Sequence, residues 1–153
     1  FKAWDPDKPG LYTPASNPDT ERAIDIVAVL EDEPAVIADA SNAYWQAPET
    51  EERYMKAPPE LIERFRRAGL PTTVVLKLKK KQYGERDASV AYADFVAEKL
   101  KQFGFERNPA QPCFFRHGER RVRLECHQDD IHATCPQSNM DWFKEKLNSV
   151  LEL

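Results

Sequence analysis

Hydrophobic residues return along the first part of the chain at a helical spacing and then form a short run. Behind Asn17, apolar residues recur every three or four positions as far as Leu30, a pattern that predicts an amphipathic helix. The apolar run at 35–38 is too short for a helix and predicts a buried strand that delivers Asp39 at its end. The sequence therefore places an acidic side chain where a strand meets a loop.

The middle of the chain alternates in the same way. Pro58-Pro59 opens a predicted helix that Gly69 ends, and the β-branched segment 72–78 predicts a strand. The clearest stripe of period 3.6 runs from Val90 to Phe103, and Gly104 follows it as a C-terminal cap. Two further helices therefore flank a strand.

The last third of the chain reads as strands followed by one helix. Segments 113–115 and 122–126 flank His117-Gly118-Glu119 and predict a hairpin, and 131–134 predicts a returning strand. Ser138, with Asp141 three residues later, is a capping-box variant that would open the final helix. This order of elements predicts an α+β fold in which helices pack on one face of a largely antiparallel sheet.

Composition limits the class of protein. The chain has 153 residues, of which 41% are hydrophobic, enough for one core, so we expect a single domain over 18–153 behind an extended Pro-rich arm over 1–17. Apolar runs are too short for a membrane span. Three cysteines without C-x-x-C spacing indicate an intracellular, reducing compartment. The net charge of -4 argues against a nucleic-acid binder that acts alone.

Three aspartates carry the candidate chemistry. Asp129 and Asp130 lie between two predicted strands, and Asp39 ends an earlier one. Carboxylates brought together from strand ends suit Mg²⁺, which prefers oxygen ligands and usually shares them with substrate phosphates. The alternative is that Asp39 ends a strand or caps a turn and that the pair forms a polar hairpin tip.

Other candidates have simple structural explanations. Cys126, His127, His132 and Cys135 offer nitrogen and sulfur ligands, but their spacing fits no zinc template. Tyr44 could serve ordinary core packing beside its aromatic neighbour. The lysines of segment 77–81 are typical of a solvated strand edge, which also blocks aggregation.

Several spaced motifs together resemble the reverse transcriptase of copia-type LTR retrotransposons, in its palm domain. In chain order they are Thr13-Pro14-Ala15-Ser16 with the helix that follows, Asp39-Ala40-Ser41-Asn42-Ala43-Tyr44, Tyr54-Met55-Lys56-Ala57-Pro58-Pro59, Lys77-Leu78-Lys79-Lys80 with Tyr83-Gly84, Asn108 to Cys113, and His127-Gln128-Asp129-Asp130. The last stands where the family has Tyr-Val-Asp-Asp. The resemblance implies a polymerase-palm-like, ferredoxin-like antiparallel sheet.

The resemblance also implies a role for each site residue. Asp39, Asp129 and Asp130 would be the catalytic ligands of two metal ions, Mg²⁺ or Mn²⁺ in its place, in RNA-directed DNA polymerisation. For nucleotide binding, the family pattern implies the carbonyl of Ala40 as a metal ligand. It implies the ring of Tyr44 as the floor that excludes a 2′-hydroxyl, and Tyr83 with Gly84 near nucleotide and template, where glycine would allow close backbone approach.

Departures from the family pattern leave two functions open. Where the family has an uncharged glutamine, this chain has Asp87, whose charge would oppose triphosphate binding. The basic start of the fingers and the thumb are absent from the sequence, so we expect the isolated chain to be inactive as a processive polymerase. The partners would be an RNA or DNA template-primer and a dNTP. In the alternative, a degenerate, non-catalytic palm would act as an accessory subunit that binds protein partners in a larger assembly.

Overall fold

The computed structural model describes residues 13–153, so most of the predicted arm lies outside the described residues. The helices are α1 (Pro18–Leu30), α2 (Ala43–Gln46), α3 (Pro59–Arg67), α4 (Ala88–Gln102) and α5 (Gln137–Val150). The strands are β1 (Ala35–Asp39), β2 (Tyr54–Lys56), β3 (Val75–Lys77), β4 (Glu106–Arg107), β5 (Phe114–His117), β6 (Val122–His127) and β7 (Asp130–Thr134). The predicted α+β class is confirmed.

Every strand pairing within residues 13–153 is antiparallel. Five strands form the main sheet in the order β1-β7-β6-β5-β4. The predicted strand at 72–78 contributes only Val75–Lys77, which pairs with β2 in a separate two-stranded sheet. The main sheet brings β1, early in the chain, beside β7, which lies about a hundred residues later, and this pairing builds the candidate site.

The hydrophobic core lies on one face of the main sheet, where α4 and α5 pack. Alternation along β6 turns Val122 and Leu124 to this face, and both side chains are fully buried. Tyr92, Val96 and Leu100 of α4 recur every four residues and contribute the facing stripe. The core therefore fixes α4, and through it the loop that precedes α4, against the sheet.

Helix α1 packs on the opposite face, so the prediction of helices on one face is wrong. It contacts β7 and β6, and Asp25 lies 3.0 Å from Nε2 of His132, which alternates with the core-facing Ile131 and Ala133. Ion pairs that Arg121 and Arg123 make with Glu31 and Glu33 hold the end of α1 to the start of β6. Periodicity predicts a helix but does not say which face of a sheet it covers.

The helix-end signals gave one wrong prediction. The side chain of Asn17 accepts a hydrogen bond from the Asp19 N–H, as expected of an N-cap, and Gly104 follows the C-cap of α4 with φ +88°. The capping box at Ser138 is wrong: α5 begins one residue earlier behind Pro136, with no side-chain cap among the described residues. Pro136 occupies the N-cap position, and its backbone turns the chain into α5 without a side-chain hydrogen bond.

A network of ion pairs around the buried Lys81 joins the segments beside the two-stranded sheet to the start of α4. Lys81 is 1% exposed, and its Nζ lies 2.8 Å from Oε1 of Glu49 and 2.9 Å from Oδ2 of Asp87, the N-cap residue of α4. Arg53, beside β2, donates to both carboxylate oxygens of Asp87 at 2.9 Å. The prediction of a solvated strand edge is therefore wrong for Lys81, although Lys77, Lys79 and Lys80 are exposed.

Replacing Lys81 tests this joint. We expect Lys81→Ala to lower the free energy of unfolding by about 3 kcal/mol, because the fully buried side chain of Glu49 loses its nearest cation. The control Lys79→Ala removes an exposed lysine two residues away and should change stability by less than about 0.5 kcal/mol. Urea unfolding measures both, and equal effects would contradict an anchoring role for the network.

Candidate functional site

Three of the predicted site residues meet at one corner of the main sheet. Asp39 and Asp130 are register partners at the end of the β1–β7 pair. The Ala40 N–H donates to the Asp129 carbonyl oxygen, with 2.8 Å between nitrogen and oxygen. The backbone therefore brings Asp39, Asp129 and Asp130 to one corner of the main sheet.

A two-residue loop presents the paired aspartates. His127 and Asp130 are register partners, so Gln128 and Asp129 alone connect β6 to β7. Gln128 has φ +55°, the left-handed conformation that tight hairpin loops require and that glycine adopts more easily. Both aspartates are exposed at the turn.

The donor atoms at this corner suit Mg²⁺, but the side chains are not gathered around one point. Within residues 13–153, no three His, Cys, Asp or Glu side chains form a group arranged to hold a metal ion. Asp130 lines a cavity on the α1 face with His127 and His132. The charge of Asp129, in contrast, raises the pKa of Tyr44, on α2. The three carboxylates would have to turn toward each other to share an ion.

An aromatic cluster lies beside the carboxylates. The ring centroids of Tyr44 and Tyr83 are 4.8 Å apart, and the ring of Trp45 lies 6.0 Å from that of Tyr83. Burial raises the pKa of Tyr44, and the charge of Asp129 raises it further. The two tyrosines predicted to bind nucleotide thus lie together, with Tyr44 partly buried and Tyr83 about half exposed.

Tyr44 also contributes to the core, as its alternative explanation predicts. It packs against the buried cluster, and its ring centroid lies 6.0 Å from that of Tyr92. One edge of the Tyr44 ring is therefore held in place by α4 while the ring also contacts Tyr83. This packing holds the Tyr44 ring in a fixed position.

The two remaining residues predicted to contact the nucleotide are Ala40 and Gly84. Ala40 is buried, and its N–H donates to the Asp129 carbonyl oxygen. Gly84 has φ +91°, a backbone conformation that favours glycine, and a Cβ placed on it would meet no heavy atom of residues 13–153 within 4 Å. The space beside Gly84 is therefore not filled by the described part of the chain, and close approach to a nucleotide stays a prediction.

Asp87, whose charge is expected to oppose triphosphate binding, is paired with two cations in the structure. Burial by itself would raise the pKa of Asp87, but hydrogen bonds donated by Arg53 and Lys81 outweigh it and lower the pKa to about 2. The same two cations also pair with Glu49, Glu51 and Glu85. The altered second motif therefore has a structural role at the start of α4.

Sequence reasoning missed Tyr92. It is 1% exposed, and its hydroxyl is buried with no hydrogen-bond partner in the described part of the chain. Burial raises the pKa of this hydroxyl, and the negative charge of Asp129 adds to the effect. The spacing of Tyr92, Val96 and Leu100 could have identified it as a core position.

The histidines and cysteines do not converge on a zinc site. Nδ1 of His127 accepts from the Ser16 N–H at 3.1 Å, and Nε2 of His132 contacts Asp25. Cys135 is fully buried in the core. These side chains serve packing and the contacts that hold residues 13–17 and α1 to the sheet.

Comparisons of the chain with protein-family models, with curated proteins and with solved structures found no match. In residues 13–153, no helix has the length and apolar character needed to cross a membrane.

The lowered pKa of Asp87 predicts a pH-dependent contribution to stability. Because the folded-state pKa lies below the ordinary value of 3.8, the stabilisation is complete above that value and disappears as the pH falls toward about 2. We expect the stability difference between the native chain and Asp87→Asn, measured by urea unfolding at a series of pH values, to shrink over this range. A difference that stays constant would contradict the assignment.

Removing the Tyr92 hydroxyl tests the buried position. We expect Tyr92→Phe to raise the free energy of unfolding by about 1 kcal/mol, because an unpaired polar group leaves the core without loss of packing. Tyr54→Phe is the matched control, since the Tyr54 hydroxyl is exposed and donates to Glu52. Thermal unfolding of both variants measures the change in stability. Destabilisation by Tyr92→Phe would contradict the prediction and show that the hydroxyl stabilises the native state.

Proposed function

We propose that this chain is a reverse-transcriptase-like palm domain of the copia type, with two-metal RNA-directed DNA polymerisation as its ancestral chemistry. The observation that carries the proposal is the pairing of β1 with β7, which makes Asp39 and Asp130 register partners next to Asp129. These are the three residues for which the motif pattern implies metal binding. The strand pairing brings these residues together from segments about ninety residues apart in the sequence.

The neighbouring groups support the same proposal. Tyr44 and Tyr83 form a contiguous aromatic surface beside Asp129, suited to contact the sugar and base of a nucleotide. The carbonyl of Ala40 lies in the segment that directly follows Asp39. A bound Mg²⁺ or Mn²⁺ would supply charge compensation for phosphate oxygens, and Asp39 and Asp129 would hold it.

The open arrangement of the carboxylates predicts how the site would bind. Mg²⁺ is usually held by one or two carboxylates together with substrate phosphates. We therefore infer that the metal alone binds weakly and that a nucleoside triphosphate completes the ligand set. The net charge of -4 opposes retention of a long template, so the proposal for this chain is binding of metal and nucleotide.

Calorimetry tests this function on the native chain. Mn²⁺ is titrated with and without a dNTP, and we expect the nucleotide to strengthen metal binding by about tenfold or more. Asp39→Asn and Asp129→Asn should each weaken it by about tenfold or more, since each removes a charged oxygen ligand. Asp141→Asn, at an exposed position of α5, is the matched control and should bind as the native chain does.

Two results of the titrations would contradict the proposal. Negligible binding in all four proteins, with the nucleotide present, would reject a metal and nucleotide site at this corner. Binding that is unaffected by Asp39→Asn and Asp129→Asn would place the ion elsewhere.

A second candidate is an accessory palm that binds protein partners without catalysis. The observation that favours it is a group of large apolar side chains exposed on α1 and β1, including Ile37, which is 84% exposed. Exposed apolar clusters mark interaction sites more often than catalytic ones.

A further inference from the structure

The most exposed apolar side chains of residues 13–153 lie on α1 and β1. Val29, Leu30 and Ile37 are 81%, 78% and 84% exposed, and Ile26 is 58% exposed. Ile26, Val29 and Leu30 share one helical stripe by their spacing of three and four residues. We call these four residues the α1–β1 surface.

The position of α1 explains why Ile37 is uncovered. Ile37 is the register partner of His132, which contacts Asp25, so its side chain faces the same side of the sheet as α1. Helix α1 contacts β7 and β6 and leaves the outer strand β1 bare on this face. The α1–β1 surface therefore extends from helix α1 to the uncovered edge strand β1.

The edge itself is open. β1 pairs with β7 on one side, and no strand of residues 13–153 lies on its other side. Its sequence, Ala35-Val36-Ile37-Ala38-Asp39, has none of the lysines or prolines that normally protect an edge strand. The unpaired backbone groups of such a strand can pair with an extended segment of another chain.

An acidic cavity adjoins this edge. Four carboxylates, of Glu21, Asp25, Glu125 and Asp130, line it together with Ile37 and two histidines, and one of these, His132, contacts Asp25. Glu125 is 3% exposed: its Oε1 accepts from Ser16 and Asn17, while Oε2 has no hydrogen-bond partner among the described residues. A buried carboxylate oxygen without a donor is costly, and a cationic side chain could satisfy it.

Charge identifies the kind of partner. Segment 18–39 contains seven acidic residues and one basic residue, Arg22, and it stays net acidic although Glu31 and Glu33 pair with Arg121 and Arg123. Two copies of this edge would bring like charges together, so self-pairing is disfavoured, whereas a basic segment is attracted. We propose that the α1–β1 surface binds an extended, basic segment of a partner protein.

In this complex the segment pairs with β1 as an added strand. Its apolar side chains pack on Val29 and Ile37, and a Lys or Arg side chain enters the acidic cavity toward Glu125. The inference does not depend on metal or nucleotide binding at the aspartate corner.

A synthetic peptide tests the proposal. The probe is a fluorescein-labelled, capped peptide of alternating lysine and valine, and its binding to the native chain is measured by fluorescence anisotropy. We expect Ile37→Thr and Asp25→Asn each to weaken binding by about tenfold, because one removes apolar contact and the other removes charge at the cavity. Val75→Thr and Glu119→Gln are matched controls at exposed positions of β3 and of the β5–β6 turn, and both should bind as the native chain does.

A second probe and a solution measurement complete the test. The same peptide with glutamate in place of lysine should bind at least about tenfold more weakly, as charge complementarity requires. Equal binding of the two peptides, or equal loss in the variants and their controls, would overturn the proposal. Sedimentation of the chain alone as a dimer that Ile37→Thr dissociates would also overturn it, in favour of a second copy as the occupant.

Discussion

The pairing of β1 with β7 is the constraint on which the other features depend. Its register sets Asp39 against Asp130 and Ile37 against His132. Because side chains alternate along a strand, a slip of one residue would turn Ile37 into the core and move Asp39 away from the β6–β7 turn. The backbone hydrogen bonds between β1 and β7 therefore fix both the position of the three aspartates and the exposure of Ile37 in the α1–β1 surface.

Local signals predicted the elements that are long or strongly periodic. α1 and α4 carry clear apolar stripes, and β1 and β7 are short runs bounded by polar residues. The very short β2 and β4 carry no such signal, because a few residues give no period to read. The face that α1 covers was also beyond local reasoning, since it depends on contacts such as that of Asp25 with His132. Likewise, Lys81 looks like part of a solvated run until Glu49 and Asp87 are brought to it from both sides.

Some features of the candidate site could likewise be predicted from the sequence, and others could not. The three aspartates and the two tyrosines could be identified from the motif pattern, and the structure brings each group together. The direction in which each carboxylate points could not be predicted from the sequence. It depends on the loop at Gln128 and on the side chains that line each face of the sheet. Tyr92 was missed because it occupies a core position, although its unpaired hydroxyl lies close enough to Asp129 to feel its charge.

The network at Lys81 has a consequence for how this protein responds to ionic strength. Salt screens charges that lie in water, whereas Lys81 and Glu49 are shielded from counterions by their burial. The acidic edge on the α1 side is open to solvent, so its attraction for a cationic partner is screened as salt rises. Concentrated salt would thus release a charged ligand while leaving the ion pairs at the start of α4 intact, which separates the chain's association from its folding.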